Sequence, residues 1–482
     1  MPDIDFDWDA DTWRRHATRL LETVIAASTN WEARRPSPLE GPGEVHERVR
    51  RTAPITPITI DELASLIERE VIPLSSYNGH PRWLAYITAG GTPAGVLGEL
   101  IAAALNQNTA LWRASPAATA IELQTIEWIK DMTGFPARGE GLFVSGGQLA
   151  NVVAHAVARD ARAGWDVRAR GLAGRPLRIY ASEEIHYCHQ QAAELLGLGR
   201  ESVRLVPTDD RYRLQVDELR RLIAADRAAG FRPLSVVGTA GTVGTGAVDP
   251  LPEIARICRE EELWFHVDGA YGAFARLAPS APDALAGMGE ADSLACDPHK
   301  WLYSPLDAGV ILVREPGLLE GSFAFHATYL QTRGETGRVD LLERSLENSR
   351  PQRAFKVWFE LQAYGLNAYR QMIERDLGLA RYLAELVGAT PHLELAAPTE
   401  LSVVCWRVVP PGVDGERLED LQLEVIAELE RQGVGFISNA RLKGGRTALR
   451  ACFVNFRTRP EHVEQIVAAS AKLGEELAAR AA

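Results

Sequence analysis

The sequence predicts an α/β fold around a mostly parallel sheet, preceded by a helical arm and followed by a smaller α/β region. Two observations carry this. Between about Thr92 and Arg375, short apolar runs alternate with stretches of helical periodicity, the pattern of strands buried on both faces beneath crossover helices. The residues able to do chemistry stand at the ends of those runs, where open sheets of this kind bind ligands.

The arm comes first. From Asp7 to Trp31 apolar residues recur at helical spacing (Trp13, Leu20, Val24, Ile25). A Pro/Gly-rich linker, Pro36 to Gly43, leads to a second helix starting at Thr59, where Thr59 and Glu62 fit a capping box. Residues 1–91 carry an amphipathic helix with no core of their own to cover, and read as an arm for dimerisation. Residues 92–375 form the expected large domain. Its strands are Gly141–Ser145 followed by a helix through Asp160, then Leu177–Tyr180, Leu234–Thr239, Leu263–Asp268, Ser293–Cys296 and Gly309–Val313. Asp249 stands where it would cap a helix over Pro250–Glu261. Residues 376–482 close the chain as a small α/β domain.

Composition excludes several classes. At 482 residues and 46% hydrophobic, the chain can bury a sizeable core in two or three domains. A formal charge of -12 argues against a nucleic-acid surface, which needs Lys/Arg to neutralise phosphates. Cys188, Cys258, Cys296, Cys405 and Cys452 are widely spaced with no Cys-x-x-Cys, so neither a disulfide framework nor a zinc site is expected, and a reducing cytoplasm is the simpler home. The acidic stretch Met1–Trp13 is no secretory signal, and the apolar segment Ala94–Ala110 is broken by Glu99, Asn106 and Asn108, so no membrane span is expected.

The chemistry lies in two motifs. Lys300 sits in Asp297-Pro298-His299-Lys300-Trp301, and Asp268 in His266-Val267-Asp268-Gly269-Ala270, each closing an apolar run. A lysine to hold an aldehyde cofactor as a Schiff base, with a carboxylate to keep a pyridine nitrogen protonated, is the requirement of pyridoxal phosphate (PLP). Alone, each motif is an ordinary surface pair or strand cap. Ser145-Gly146-Gly147-Gln148 joins a strand to a helix, where free amides and the helix dipole attract a phosphate, although it follows neither of the common nucleotide-binding patterns and a structural turn explains it in isolation. His186 lies just past a strand, placed to stack on a flat ring and to act as an acid or base. His189 raises a metal reading, but no third ligand stands at suitable spacing and no metal is expected. Thr239 opens a Gly/Thr-rich stretch through Gly246, which an unliganded irregular turn explains equally well.

In this order, Ser-Gly-Gly, His186, Thr239-Ala240-Gly241-Thr242, His266-Val267-Asp268-Gly269-Ala270-Tyr271 and Asp297-Pro298-His299-Lys300-Trp301 resemble the group II PLP-dependent amino-acid decarboxylases, a family that includes the aromatic-L-amino-acid, glutamate, histidine and cysteine-sulfinate enzymes. The resemblance runs from His80-Pro81-Arg82-Trp83 to Leu449-Arg450. It implies the PLP-dependent transferase fold type I and a homodimer with shared active sites. It also assigns roles: Lys300 the Schiff-base lysine, Asp268 the pyridinium partner, His186 the stacking residue, Ala270 the small residue below the ring, and Thr239 a contact to cofactor or substrate. Gly147, Gln148, Asp297 and His299 fall where the family binds phosphate or shapes its pocket. Trp83, Tyr86, Ile87, Thr88, Ala89 and Trp112 are expected to wall the substrate side chain, and being neutral they favour an aromatic or bulky neutral amino acid over glutamate.

The chain departs from the family at three places. Gln148-Leu149 stands where many relatives carry Ser/Thr-Glu, and Asp297 where many carry Asn; an ionised Asp297 would repel phosphate. The loop expected to close over the substrate, about Thr332 to Arg350, holds in aromatic decarboxylases a tyrosine credited with reprotonating the substrate carbon. Here Gln331–Pro351 contains no Tyr or His, Leu341 falls at that position, and Tyr329 lies just before it. The reading is a carboxy-lyase acting on an L-amino acid and releasing the amine. A decarboxylation-dependent oxidase or aldehyde synthase remains open, as does a catalytically silent PLP-binding dimer.

Overall fold

Among the described residues seven strands make the sheet on which the site is built: β1 (Glu140–Val144), β2 (Leu177–Ser182), β3 (Val203–Val206), β4 (Arg232–Thr239), β5 (Trp264–Asp268), β6 (Ser293–Cys296) and β7 (Gly309–Val313). The structure, a computed structural model, describes residues 6–172, 174–325 and 337–481. Strand order is β1-β7-β6-β5-β4-β2-β3. Only β7 runs against its neighbours, so the carboxyl ends of β1, β4, β5 and β6 come out along one edge.

Both faces are covered, which is why the strands read as continuous apolar runs. Ile311 and Val313 pack beneath Val153, Ala154 and Val157 of the helix Gly147–Arg162. Val310 and Leu312 face the opposite layer with Ile126, Ile129, Ile254 and Ile257. Successive side chains on a strand point to opposite faces, so two buried faces demand apolar residues at every position. The edge strand β3 was not expected from sequence: it is four residues long, and Arg204 and Leu205 are exposed, so it lacks the apolar run that marks the others.

Asp249 does not cap the helix Leu251–Glu260, which starts at Pro250 without a side-chain cap. Its carboxylate is instead buried, accepting the Leu214 amide on Oδ1 and the Thr239 amide on Oδ2, both at 2.8 Å. Burial pushes this carboxyl up to about 7 against those two donors. The arrangement ties down the end of β4, where Thr239 enters the site.

The arm forms the expected helices. Ala10–Ala27 begins at Asp9, which accepts from the Thr12 amide, and Ile60–Leu66 carries the Thr59/Glu62 capping box. Arm residues tie to the end of the chain through Arg35, which donates to the Glu430 and Arg431 carbonyls, and through Glu32 beside His462.

The last part of the chain contains an antiparallel sheet of β8 (Leu393–Leu395), β9 (Val403–Val408), β10 (Ser438–Arg441) and β11 (Thr447–Cys452) in the order β10-β11-β9-β8. The expected boundary at 375/376 lies inside one helix, Leu366–Ala389. Tyr369, Ile373 and Leu377 belong to the core of the large sheet, and Leu383 and Val387 to that of the small one, so the helix joins the two cores. The segment before residue 91 also belongs here: Leu84 donates its amide to the Phe436 carbonyl and accepts from the Cys452 amide. Among the described residues no helix is long and apolar enough to cross a membrane.

Candidate active site

The edge where β1, β4, β5 and β6 end opens into a cleft of about 250 Å³. Gly147, Gln148, His186, Thr239, Asp268, Ala270, Asp297, His299 and Lys300, the nine candidate cofactor residues, all line it. β1 delivers the Gly146-Gly147 turn and the first amides of the helix Gly147–Arg162, a ready anion site. Gly147 must be glycine: a Cβ there would lie 2.9 Å from both the Ala270 methyl and Asp297 Oδ2.

β5 ends on Asp268, whose carboxylate is held before any ligand is considered. Oδ2 accepts from His189 Nε2 at 2.9 Å and from Asn151 Nδ2 at 3.1 Å, and Oδ1 accepts from the Ala270 amide at 3.1 Å. Burial alone would raise this acid, but the His189 donor, the Lys300 charge and the Ala270 amide outweigh it and hold Asp268 well below the usual carboxylate range. β6 leads into the short helix Pro298–Trp301, which aims Lys300 back across the cleft, its Nζ 3.0 Å from Asp297 Oδ2. Burial would lower the Lys300 amine, but Asp297 and then Asp268 prevail and raise it above its ordinary value. His186 accepts the Cys188 amide at Nδ1, leaving its proton at Nε2, and burial lowers its pKa.

The expected substrate wall is largely elsewhere in the single chain. Ile87 lines the cleft. Trp83 stacks on Phe436 with ring centroids 4.2 Å apart, and its Nε1 donates to Thr88 Oγ1 at 3.0 Å. Ala89 packs against the core of the large sheet, Tyr86 is 57% exposed, and Trp112 donates its amide to Asp340. Phe436 comes from far along the chain, so nothing near Trp83 in sequence signals that its ring is taken up. Of the closing loop, Tyr329 and residues 331–336 lie outside the described residues, while Leu341 is buried beside Val313 and Leu319.

Sequence reasoning missed Asn151, Cys188, Gly241, Val243 and Tyr271 as lining residues. Asn151 was reachable, since it lies one helical turn beyond Gly147 on the same face. Cys188, His189 and Asp268 also come together, their ligand atoms within 4.8 Å of one another, a third partner that sequence spacing did not offer. Burial pushes the Cys188 thiol up to about 12.

The cleft suits PLP. Two buried oxygens on its wall, Thr239 Oγ1 and Asp297 Oδ1, have no partner among the described residues, and such atoms cost about 1–3 kcal/mol each unless something pairs with them. A turn of free amides, the small Ala270 on the cleft wall, a lysine and an ionised carboxylate complete the set of groups the cofactor requires.

Residues 42–409 match the family described as the pyridoxal-dependent decarboxylase conserved domain. The aromatic-L-amino-acid decarboxylase of Bacillus atrophaeus is 34% identical over 420 residues, covering 86% of each chain. The 4-hydroxyphenylacetaldehyde synthase of Rhodiola rosea is 29% identical, covering 90% of this chain and 89% of that one. The crystal structure of Oryza sativa TDC with PLP and tryptamine superposes with a TM-score of 0.91 at 26% identity, covering 98% of this chain and all of the other.

Proposed function

The chain belongs to the pyridoxal-dependent decarboxylase family and is a PLP-dependent carboxy-lyase, and from that premise we propose that it decarboxylates an aromatic L-amino acid and releases the amine. The observation that carries the reading is the pair Asp268 and Lys300 lining one cleft beside the free amides that follow β1. When bound, PLP supplies the electron sink for the pair left on the substrate carbon as carbon dioxide departs.

The protein's own groups do the rest. Lys300 Nζ would anchor the cofactor aldehyde and yield it to the substrate amine. Asp268, held ionised, would keep the ring nitrogen protonated. The amides at Gly147 and Gln148 would hold the phosphate, which frees Asp297 to serve as the partner of Lys300. Ile87, Val243 and Tyr271 give the cleft an apolar side, and among its described lining residues no arginine waits for a side-chain carboxylate. That favours an aromatic substrate over an acidic one. Water held by the His186 Nε2–H within the cleft is the source for the reprotonation that yields the amine.

One observation favours a second product. Residues 331–351 contain no Tyr or His, and slow reprotonation leaves time for oxygen to intercept the substrate carbon, giving aldehyde, ammonia and peroxide. Following carbon dioxide, amine, aldehyde and peroxide together, with and without oxygen, decides the matter: amine in step with carbon dioxide is expected, and oxygen-dependent aldehyde with little amine overturns it.

We also propose a homodimer working in a reducing cytoplasm. Val96, Leu97, Leu100, Ile101 and Leu105 leave one side of the helix Pro93–Leu105 exposed, as Trp13, Leu21, Val24 and Ile25 do on Ala10–Ala27. These apolar faces ask for a partner surface. All five cysteines are free and buried. Sedimentation at micromolar concentration is expected to show a dimer that weakens when residues 1–55 are deleted; an active monomer contradicts it.

A further inference from the structure

Behind Asp268 lies a set of buried polar groups that the reaction as described does not use. His189 Nδ1 is 2.9 Å from His155 Nε2, and Asn151 Oδ1 is 2.9 Å from His266 Nε2. His266 Nδ1 is in turn 2.9 Å from Ser293 Oγ, which accepts from Trp264 Nε1 at 2.8 Å. His155, His189, His266, Asn151 and Ser293 are all at most 1% exposed.

The direction of every bond is forced by the carboxylate at the end. Ionised Asp268 only accepts, so His189 carries a proton at Nε2; as a neutral imidazole it accepts at Nδ1, which makes His155 the donor through its own Nε2. On the other branch, Asn151 spends its NH2 on Asp268 and accepts at Oδ1, so His266 donates at Nε2 and accepts the Ser293 hydroxyl at Nδ1. Two chains of neutral donors thus converge on one oxygen, Asp268 Oδ2.

The histidine branch has a lock at its far end. His155 Nδ1 is buried with no partner among the described residues. A second proton there would be charged and unsatisfied in an apolar site, which is costly; burial first, then His189 and His266, keep His155 well below its ordinary pKa. His266 is lowered to about 3, again by burial first. The other titratable groups facing this set are Asp268, Cys188, Lys300 and His186, of which Asp268 and Lys300 are charged near neutral pH.

We propose that His189, its tautomer locked by His155, is the positioning residue that aims the Asp268 carboxylate at the cofactor's ring nitrogen. It acts by presenting a fixed neutral N–H to Oδ2, which leaves Oδ1 as the oxygen directed to the ring. An imidazolium in its place would compete with the pyridinium for the same charge, and the opposite tautomer would set a lone pair against it. This rests on the PLP reading above.

The test uses histidine labelled with ¹⁵N in both the holoenzyme and the cofactor-free protein. The expected spectra show His189 and His155 as Nε2–H tautomers; an Nδ1–H tautomer of either overturns the proposal. In the holoenzyme, His189→Leu and His155→Leu are expected to change the pH profile of the bound cofactor's visible absorption and to weaken PLP retention by roughly ten-fold, the usual scale for groups that orient a ligating residue. His189→Gln, which keeps a donor near the position of Nε2, is expected to restore most of both. A His155→Leu protein with an unchanged absorption profile overturns the lock even if His189→Leu fails to fold. PLP uptake with unshifted profiles defeats this proposal alone, whereas failure of the wild-type protein to take up PLP defeats the functional reading with it.

Discussion

Two buried carboxylates line the cleft, and they are built in opposite ways. Asp268 meets three protein donors on its two oxygens. Asp297 has Lys300 on one oxygen at 3.0 Å, His299 Nε2 no closer than 3.6 Å, and no partner for the other oxygen among the described residues. The floor is therefore complete before a ligand arrives, with fixed dipoles that need no reorganisation. On the proposed roles, the rim depends on a lysine that the chemistry would take away and return. Rigid support would then serve the ring nitrogen, and exchangeable pairing the place where a covalent bond would form and break.

Removing the exchangeable partner itself is expected to have the largest effect. Lys300→Ala should abolish turnover while leaving the fold, since among the described residues lining the cleft no other offers an amine. The chain has only five lysines. Lys130 is committed to the Ala137 and Gly139 carbonyls and Lys356 to Glu99. Borohydride reduction and peptide mapping should place the fixed cofactor on Lys300, and a label on Lys130 or Lys356 would defeat the assignment.

On the floor, Asp268→Asn is expected to lower turnover by several powers of ten, because an unprotonated ring nitrogen is a far poorer electron sink. PLP should still bind through Lys300 and the amides after β1. The substitution also sets an amide against the His189 and Asn151 donors. Steady-state rates and equilibrium dialysis measure the two effects; near-normal turnover would reduce Asp268 to a strand cap.

At the rim the expected effect is a shift in pH, and its sign follows from Lys300. Asp297 is the largest influence raising the amine, against burial that lowers it. Only the neutral amine attacks an aldehyde, so PLP capture by the cofactor-free protein should speed up as pH rises toward the raised pKa. Asp297→Asn removes the raising charge, lowers that pKa, and should make capture faster at neutral pH with its rise displaced to lower pH. Rapid-mixing absorbance across pH reads this directly, and a displacement upward would show that Asp297 does not govern the amine.

The two halves of the site also differ in how far the sequence shows them. Lys300, Asp297 and His299 are neighbours in the chain, Asp268 closes an apolar run, and Gly147 follows another, so the parts delivered by strand ends were legible from periodicity alone. The same holds for six of the seven strands of the sheet. What hid was whatever depends on long-range pairing: His189 meets Asp268 across 79 positions and Asn151 across 117, and no local pattern announces either. Trp83 shows the same limit, because no local pattern announces that its ring stacks on Phe436. Asp249 shows the converse, a residue in a good capping position whose carboxylate is claimed by Leu214 and Thr239 instead.

The smallest expected effect sharpens the contrast most, because it should have opposite signs in the two halves. Thr239 Oγ1 is a buried hydroxyl without a partner among the described residues, a standing cost of about 1–3 kcal/mol in the cofactor-free protein. Thr239→Val keeps the shape and removes that cost, so the cofactor-free variant should melt no lower than the parent, and somewhat higher if the hydroxyl gains nothing from water. With PLP bound the hydroxyl is expected to gain a partner, and its loss should weaken PLP by up to roughly ten-fold, the worth of one ordinary hydrogen bond. Asn151→Leu on the floor should do the reverse in the cofactor-free state. It strands Asp268 and His266, both of which bond to Asn151, and should lower the melting temperature before any ligand is added. Thermal melts of both cofactor-free variants beside PLP dialysis make the comparison; if Thr239→Val is the more destabilised of the two without PLP, the division into a completed floor and an unfinished rim is wrong.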